Sequence, residues 1–199
     1  MPKIVDKKEK ARAISGAALR VFRKLGYPRT RMVDIAHEAG IGKGTLYEYF
    51  KNKAYIIRFL FEQYFSTFKT GALQAMVNQS RPSDKLLALV DFSLSHVSEW
   101  EDHCAVYVDY FGAARTDEND WFSLAGINEE MKRILKDLIE EGQVAGEMDT
   151  RFNPVAFAEL LLSMFDGIIF HRIFVGWDSG RESVQREAIR LITQGLLVK

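Results

Sequence analysis

The sequence predicts an all-α protein. An N-terminal three-helix head carrying a helix–turn–helix leads into a longer helical body, with about nine helices in all. Three observations carry this. Apolar residues recur at three- and four-residue steps along nearly the whole chain, with no alternating strand run and no Asn-Gly or Asp-Gly hairpin signal. Only four prolines occur in 199 residues, and three fall where helices begin or have just ended. The charge is divided. Residues 1–53 hold thirteen Lys/Arg against five Asp/Glu, a net of +8, and residues 54–199 balance this with −8 to give zero overall.

Helix 1 is expected from Asp6 to Leu25, with Ile14, Ala17, Ala18, Val21, Phe22 and Leu25 as its buried stripe. Gly26 then suits the left-handed position that ends a helix, and Tyr27-Pro28 cannot continue it. Thr30 is placed as the N-cap of helix 2, whose inner residues are Val33, Ile35, Ala36 and Ala39. Gly40 ends that helix, Ile41-Gly42 connects, and Lys43-Gly-Thr-Leu-Tyr-Glu-Tyr-Phe50 forms the short helix 3. Asn52 caps helix 4, expected from Lys53 to about Val77. Further helices are expected from just after Pro82-Ser83 to about Glu101, from roughly Cys104 to Ala114 and from roughly Asp117 to Val144. In the eighth, Asn153 caps and Pro154 fills the first turn, where its missing N–H is harmless; this helix is expected to reach about Gly176. The last runs from Arg181 to Leu197, with Val184, Ala188, Leu191, Ile192 and Gly195 on one face.

Residues 40–53, GIGKGTLYEYFKNK, combine bare backbone, phenol hydroxyls and cationic ends. Helices 2 and 3 read as a helix–turn–helix, in which the second helix enters the DNA major groove. Gly42 and Gly44 leave backbone unshielded for close approach, and the helix start offers N–H groups to phosphate. Lys43 reaches a guanine acceptor or a phosphate, Tyr47 and Tyr49 place hydroxyls near the duplex, and Lys53 is a further phosphate contact. Phe50 is expected to pack inward. A basic head on an acidic body is the electrostatic footprint of a module that meets a polyanion.

The segment GIGKGTLYEYFKNKAYI resembles the signature of the TetR/AcrR family, a helix–turn–helix ending in Tyr-x-Tyr-Phe and a Lys. AALRVFRKLGY, a Thr before helix 2, and DIAHEAG match upstream, so the resemblance spans roughly residues 10–56. It implies an all-α homodimeric transcriptional regulator, usually a repressor, whose C-terminal domain binds a small molecule and whose last two helices form a four-helix bundle with a twin. By position it makes Lys43, Gly44, Thr45 and Tyr47 groove-facing, and Thr30, Tyr49 and Lys53 phosphate contacts. One departure is Gly42, where the family often has a Ser that caps helix 3.

The domain division expected from charge and motif is 1–52 for DNA binding and 53–199 for effector binding and dimerisation. Nineteen of the twenty-four aromatic residues lie between Tyr55 and Trp177, including Trp121 and Phe122. For any one of them core packing is the stronger reading; together they suit an apolar cavity with a few polar groups. The candidate lining residues are Tyr64, Phe68, Phe92, His96, Trp100, Tyr107, Phe111 and Asp166. Asp166 stands in the apolar run MFDGIIF and serves a pocket, a dimer seam or a buried hydrogen bond. The eighth helix is apolar nearly all round, so one side is free to meet a twin whose two-fold axis matches a palindromic operator.

No catalytic residue, cofactor or metal site is expected: His96 and His103 are seven apart, and no His/Cys spacing fits structural zinc. One cysteine, Cys104, rules out an internal disulfide and fits a reducing cytoplasm. No signal peptide or membrane span is read, because FAELLLSMFDGIIFHRIFVGW is broken by Glu159, Asp166, His171 and Arg172 and reads as a buried helix. The expected function is a ligand-responsive regulator, a repressor released from double-stranded DNA by an effector. The alternatives are a dimeric interaction module without effector control and, last, a helical enzyme.

Overall fold

The computed structural model describes residues 2–113, 124–175 and 179–198. Among them are nine α-helices and no named strand: α1 (Pro2–Leu25), α2 (Met32–Glu38), α3 (Lys43–Tyr49), α4 (Lys53–Met76), α5 (Pro82–Ser95), α6 (Val97–Ala113), α7 (Leu124–Val144), α8 (Pro154–Phe174) and α9 (Ser179–Gly195). Packing divides the chain into two compact units. One comprises Met1–Ser66 with Asp102–Phe122, the other Thr67–Glu101 with Ser123–Lys199. Residues of α4 and α6 therefore belong to both.

In the first unit, α1 buries the expected stripe of Ile14, Ala17, Ala18, Val21 and Phe22. Gly26 adopts φ 75°, and its N–H donates to Phe22 O at 2.8 Å. Helix α2 ends in a Schellman turn. Gly40 has φ 64°, its N–H donates to His37 O at 3.1 Å, and the Ile41 N–H reaches Ala36 O at 3.0 Å. These paired bonds reverse the chain between α2 and α3 and satisfy the carbonyls at the helix end. The start of α2 differs from expectation. Arg31, not Thr30, is the N-cap, and Asp34 Oδ2 accepts the Arg31 N–H at 2.8 Å. The Thr30 hydroxyl is already turned back to donate to Gly26 O at 2.8 Å, so the cap moves one residue on. Val33, expected inside, is exposed, while Ile35 and Ala36 are buried.

Asn52 caps α4 as expected, accepting the Tyr55 N–H at 3.1 Å. The break between α5 and α6 comes at His96 rather than near Asp102. Ser93 and Ser95 donate to the carbonyls of Leu89 and Phe92, and His96 Nδ1 lies 2.9 Å from Phe92 O. Side chains there compete with the backbone ladder, which ends the helix early.

The second unit has a core of Leu86, Leu89, Val90 and Leu94 from α5, Leu135, Leu138 and Ile139 from α7, Phe157, Leu161 and Ile168 from α8, and Ile189 with Leu196 at the chain end. Asn153 Oδ1 accepts the Ala156 N–H at 3.0 Å and caps α8 with Pro154 in its first turn. The chain end is tied back by Asp149 N–H to Leu196 O at 2.8 Å and Val198 N–H to Glu147 O at 2.9 Å. The expected start of α7 at Asp117, with Trp121 and Phe122, lies outside the described residues, as do the expected end of α8 at Gly176 and Trp177.

Candidate functional site

Helix α3 has one pinned face and one free face. Leu46 and Phe50, one helical turn apart, are buried, and the Phe50 ring meets Phe59 of α4 edge-on at 5.5 Å. Lys43, Gly44, Tyr47 and Glu48 are exposed, and Thr45 and Tyr49 are half-buried. Tyr47 is 47% exposed, with the Lys43 ammonium 5.9 Å from its ring centroid. No atom outside the helix's own neighbourhood lies within 4 Å of where a Gly44 side chain would begin, so nothing inside the chain requires that glycine. Gly42 is the N-cap, in an extended conformation and without a side-chain cap bond.

Two expected phosphate contacts have other roles here. Thr30 is 2% exposed, and its hydroxyl is committed to Gly26 O, so a phosphate cannot reach it without displacing that bond. The Lys53 ammonium donates to the carbonyls of Tyr27 at 2.7 Å, Pro28 at 3.1 Å and Thr30 at 3.1 Å, and lies 4.3 Å from the Tyr27 ring centroid. Partial burial pushes its pKa below the usual lysine range. Sequence reasoning took Lys53 as the free cation and passed over Lys51, which is exposed and forms no ion pair among the described residues. The Lys-Asn-Lys spacing was the available signal; which lysine turns inward is set by the α1–α2 turn, remote in sequence.

Two of the head's five acids, Asp34 and Glu38, are engaged by arginines. Arg20 Nε meets Glu38 at 2.8 Å, and the Arg31 Nη2 to Asp34 Oδ1 distance is 3.2 Å. The hydrogen bonds from these guanidiniums hold both carboxyls below the usual carboxylate range. Lys43 and Lys51 remain as unpaired cations flanking α3 among the described residues. An exposed short helix with a bare second position, a phenol and flanking cations is suited to meeting a nucleic-acid groove.

The candidate effector residues form two groups. In the second unit, Phe92 stacks on His96 at 4.0 Å, and Phe68 lies 5.4 Å from Phe92. The Phe92 ring sits where a side chain on Gly71 of α4 would begin, 2.5 Å away, so Gly71 permits this cluster. In the first unit, Tyr64 lies 4.7 Å from the His103 ring. Tyr107 is buried, packs edge-on against Phe61 at 3.7 Å and donates its hydroxyl to Ile57 O at 3.3 Å. Burial pushes its phenol pKa far up, so Tyr107 is a core residue in this structure rather than a pocket-lining one. The side chains of Trp100 and Phe111 lie outside the described residues. Asp166 is exposed to solvent in the single chain, yet its apolar surroundings push its carboxyl pKa up by desolvation. An open groove lined by Glu129, Glu130, Lys132, Arg133 and Lys136 of α7, with Val155, includes none of the eight expected residues. Its lysines are held by acids: Lys132 by Glu129 and Glu159, and Lys136 by Glu140.

The apolar face of α9 is turned outward. Val184, Ala188, Leu191, Ile192 and Gly195 are all exposed, whereas Ile189, Thr193 and Leu196 on the opposite face are buried. On α8, Leu160, Phe170 and Phe174 are exposed as well. By length and composition alone the Pro154–Arg172 stretch is long and apolar enough to cross a membrane, and only 22% of it is buried inside the chain. The expectation of a buried helix is therefore corrected. Part of α8 packs on α7 and α9 in its own chain, and part is uncovered.

The model of the bacterial regulatory proteins of the tetR family matches residues 14–58, which contain the whole helix–turn–helix. Over nearly full length the chain is 24% identical to the uncharacterized HTH-type transcriptional regulator YhgD of Bacillus subtilis, covering 96% of each chain. It is 26% identical to the HTH-type transcriptional regulator TtgR of Pseudomonas putida, over 77% of this chain and 75% of that protein. Its fold matches a TetR transcription regulator from Haloarcula marismortui with a TM-score of 0.83 at 19% identity, covering 96% of this chain and all of the other. The helix–turn–helix with its outward α3, the matched segment and the full-length helical fold lead to one conclusion: residues 14–58 form a helix–turn–helix domain of the tetR family's type, in a chain that is similar over its length to HTH-type transcriptional regulators and has the fold of TetR regulators.

Proposed function

We propose that the protein is a ligand-responsive repressor that binds a palindromic operator as a homodimer and leaves it when a small molecule occupies the helical body. The observation that carries this reading is the pose of α3, whose Leu46 and Phe50 are buried while Lys43, Gly44 and Tyr47 face solvent. Lys43, Gly44, Thr45 and Tyr47 are assigned to the groove, and Tyr49 with Lys51 to the phosphates. Residues 1–52 serve as the DNA-binding domain and 53–199 as the effector and dimer domain, working in the cytoplasm beside their DNA. The dimer is assigned to α8 and α9, supported by the exposed apolar faces of both helices. Phe68, Phe92 and His96 are the aromatic group assigned to the effector, with Tyr64 and Asp166 as further candidates. Asp166 on α8 serves the effector or the dimer seam.

Selection of duplexes from a random pool by the full-length protein tests the DNA reading. The expected result is an enriched sequence with two inverted half-sites, two chains per duplex, and affinity that falls as salt rises, with a log–log slope of about −0.9 per phosphate contact. No enrichment above the starting pool, or affinity insensitive to salt, overturns it. Mass spectrometry of compounds extracted from the purified protein tests the effector reading: a co-purified compound that lowers affinity for the selected duplex supports it.

A further inference from the structure

The turn between α1 and α2 has its backbone hydrogen bonds almost fully assigned, and two of the partners come from distant helices. Leu25 O accepts from Arg29 Nε at 2.8 Å, and Gly26 O accepts from the Thr30 hydroxyl at 2.8 Å. The carbonyls of Tyr27, Pro28 and Thr30 all accept from Lys53, the first residue of α4. The Tyr27 N–H donates to Asp109 Oδ2 on α6 at 3.3 Å, and the same oxygen would stand 3.2 Å from a side chain begun at Gly26. Tyr27 itself is buried, with Tyr110 of α6 edge-on at 5.2 Å.

An ammonium has three N–H donors, and Lys53 has three carbonyl partners, so it has no donor left for a phosphate. Asp109 is an exposed carboxylate in the same compact unit as the basic head, where a negative charge by itself disfavours DNA. Neither residue is placed as a DNA contact would be, yet both hold the six-residue link, 26–31, that sets how α2 leaves α1.

The geometry points to Lys53 and Asp109 as positioning residues for DNA binding, a two-sided clamp on the α1–α2 turn that fixes the entry angle of the helix–turn–helix from α4 and α6 at once. The cation takes the carbonyls of the turn and the carboxylate takes its N–H. This rests on the DNA-binding reading above and extends it: affinity is governed by two residues that touch no DNA.

The test measures binding of full-length protein to the duplex enriched by the wild-type chain, by fluorescence anisotropy over a series of KCl concentrations, for Lys53→Gln, Asp109→Ala and Asp109→Asn. Amide hydrogen exchange at Tyr27 and a thermal melt are recorded for each. The clamp predicts that Lys53→Gln and Asp109→Ala each weaken binding on the order of tenfold with the salt slope unchanged. Asp109→Asn keeps an oxygen acceptor and recovers most of the affinity, and Tyr27 exchange is faster in Asp109→Ala only. A phosphate contact at Lys53 instead lowers the salt slope by about 0.9 in Lys53→Gln. A purely electrostatic Asp109 makes Asp109→Ala bind tighter. Either result overturns the clamp. If the wild-type chain enriches no duplex, the DNA reading fails by itself, and the clamp then stands or falls on Tyr27 exchange. If Lys53→Gln does not fold, the two Asp109 variants decide.

Discussion

Replacing Gly44 with alanine separates the demands of folding from those of binding, because the two move in opposite directions. Gly44 is the second residue of α3, and its φ lies outside the left-handed region that favours glycine. An added methyl meets nothing within 4 Å. The chain therefore carries the backbone-entropy cost of a helical glycine, roughly 0.5–1 kcal/mol relative to alanine, with no internal packing to account for it. Gly44→Ala should stabilise the free protein by about that amount and raise its melting midpoint by roughly 1–4 °C for a domain of this size. If the bare backbone is needed for close approach to DNA, the same methyl stands between α3 and the duplex. Affinity for the selected duplex should then fall by about threefold or more, roughly 0.7 kcal/mol. Paired thermal melts and anisotropy titrations on the same preparation read both numbers. A variant that is more stable and binds DNA as tightly as wild type refutes the argument, because the glycine would then lack an external reason.

Three further outcomes follow from particular contacts. Glu147 accepts the Ser83 N–H at 3.0 Å and an Arg81 N–H at 3.1 Å, and these bonds, Ser83 first, hold its carboxyl below the ordinary value of 4.5. Its stabilisation is complete above that value and lost as pH falls through the lower folded one, so Glu147→Gln should melt below wild type at pH ~7 with the gap closing toward pH ~3; an equal gap at both refutes the assignment. Leu191→Glu puts a charge into the exposed stripe of α9, and two-fold symmetry repeats it, so analytical ultracentrifugation should show a monomer that binds the duplex weakly; an unchanged dimer removes that face from the interface. Gly71→Ala drives a methyl to 2.5 Å from the Phe92 ring, and overpacking of this kind costs about 1–3 kcal/mol, more than the helix gain of at most about 1; a raised melting temperature would show that the ring moves aside freely.

Much of the architecture was legible in the residues alone, for a physical reason. Helix ends depend on local bonds, so Gly26, Gly40, Asn52 and Asn153 act where their chemistry places them. The face of α3 was also legible, since Leu46 and Phe50 are the apolar pair one turn apart and the remainder is polar or bare. A sequence pattern marks a stripe but does not name what covers it. The apolar stripe on α9 was read correctly as a stripe, and only the tertiary structure shows that it faces out while Ile189 and Leu196 face in.

The residues whose roles changed are those with partners far away in the chain. Lys53 was a cation at a helix start, and its meaning depends on three carbonyls more than twenty residues earlier. Thr30 had the right type for a cap, but its hydroxyl turned back to Gly26 and left Arg31 in that place. Tyr107 was one aromatic among many until burial and the Ile57 carbonyl fixed it in the core. The sequence by itself determined the helices, the ends marked by Gly26, Gly40, Asn52 and Asn153, and the charge divided along the chain, because periodicity and capping act within a few residues. Only the tertiary structure decided which cations are free and which are spent within the chain, because a hydrogen bond is assigned by the groups that folding brings within reach.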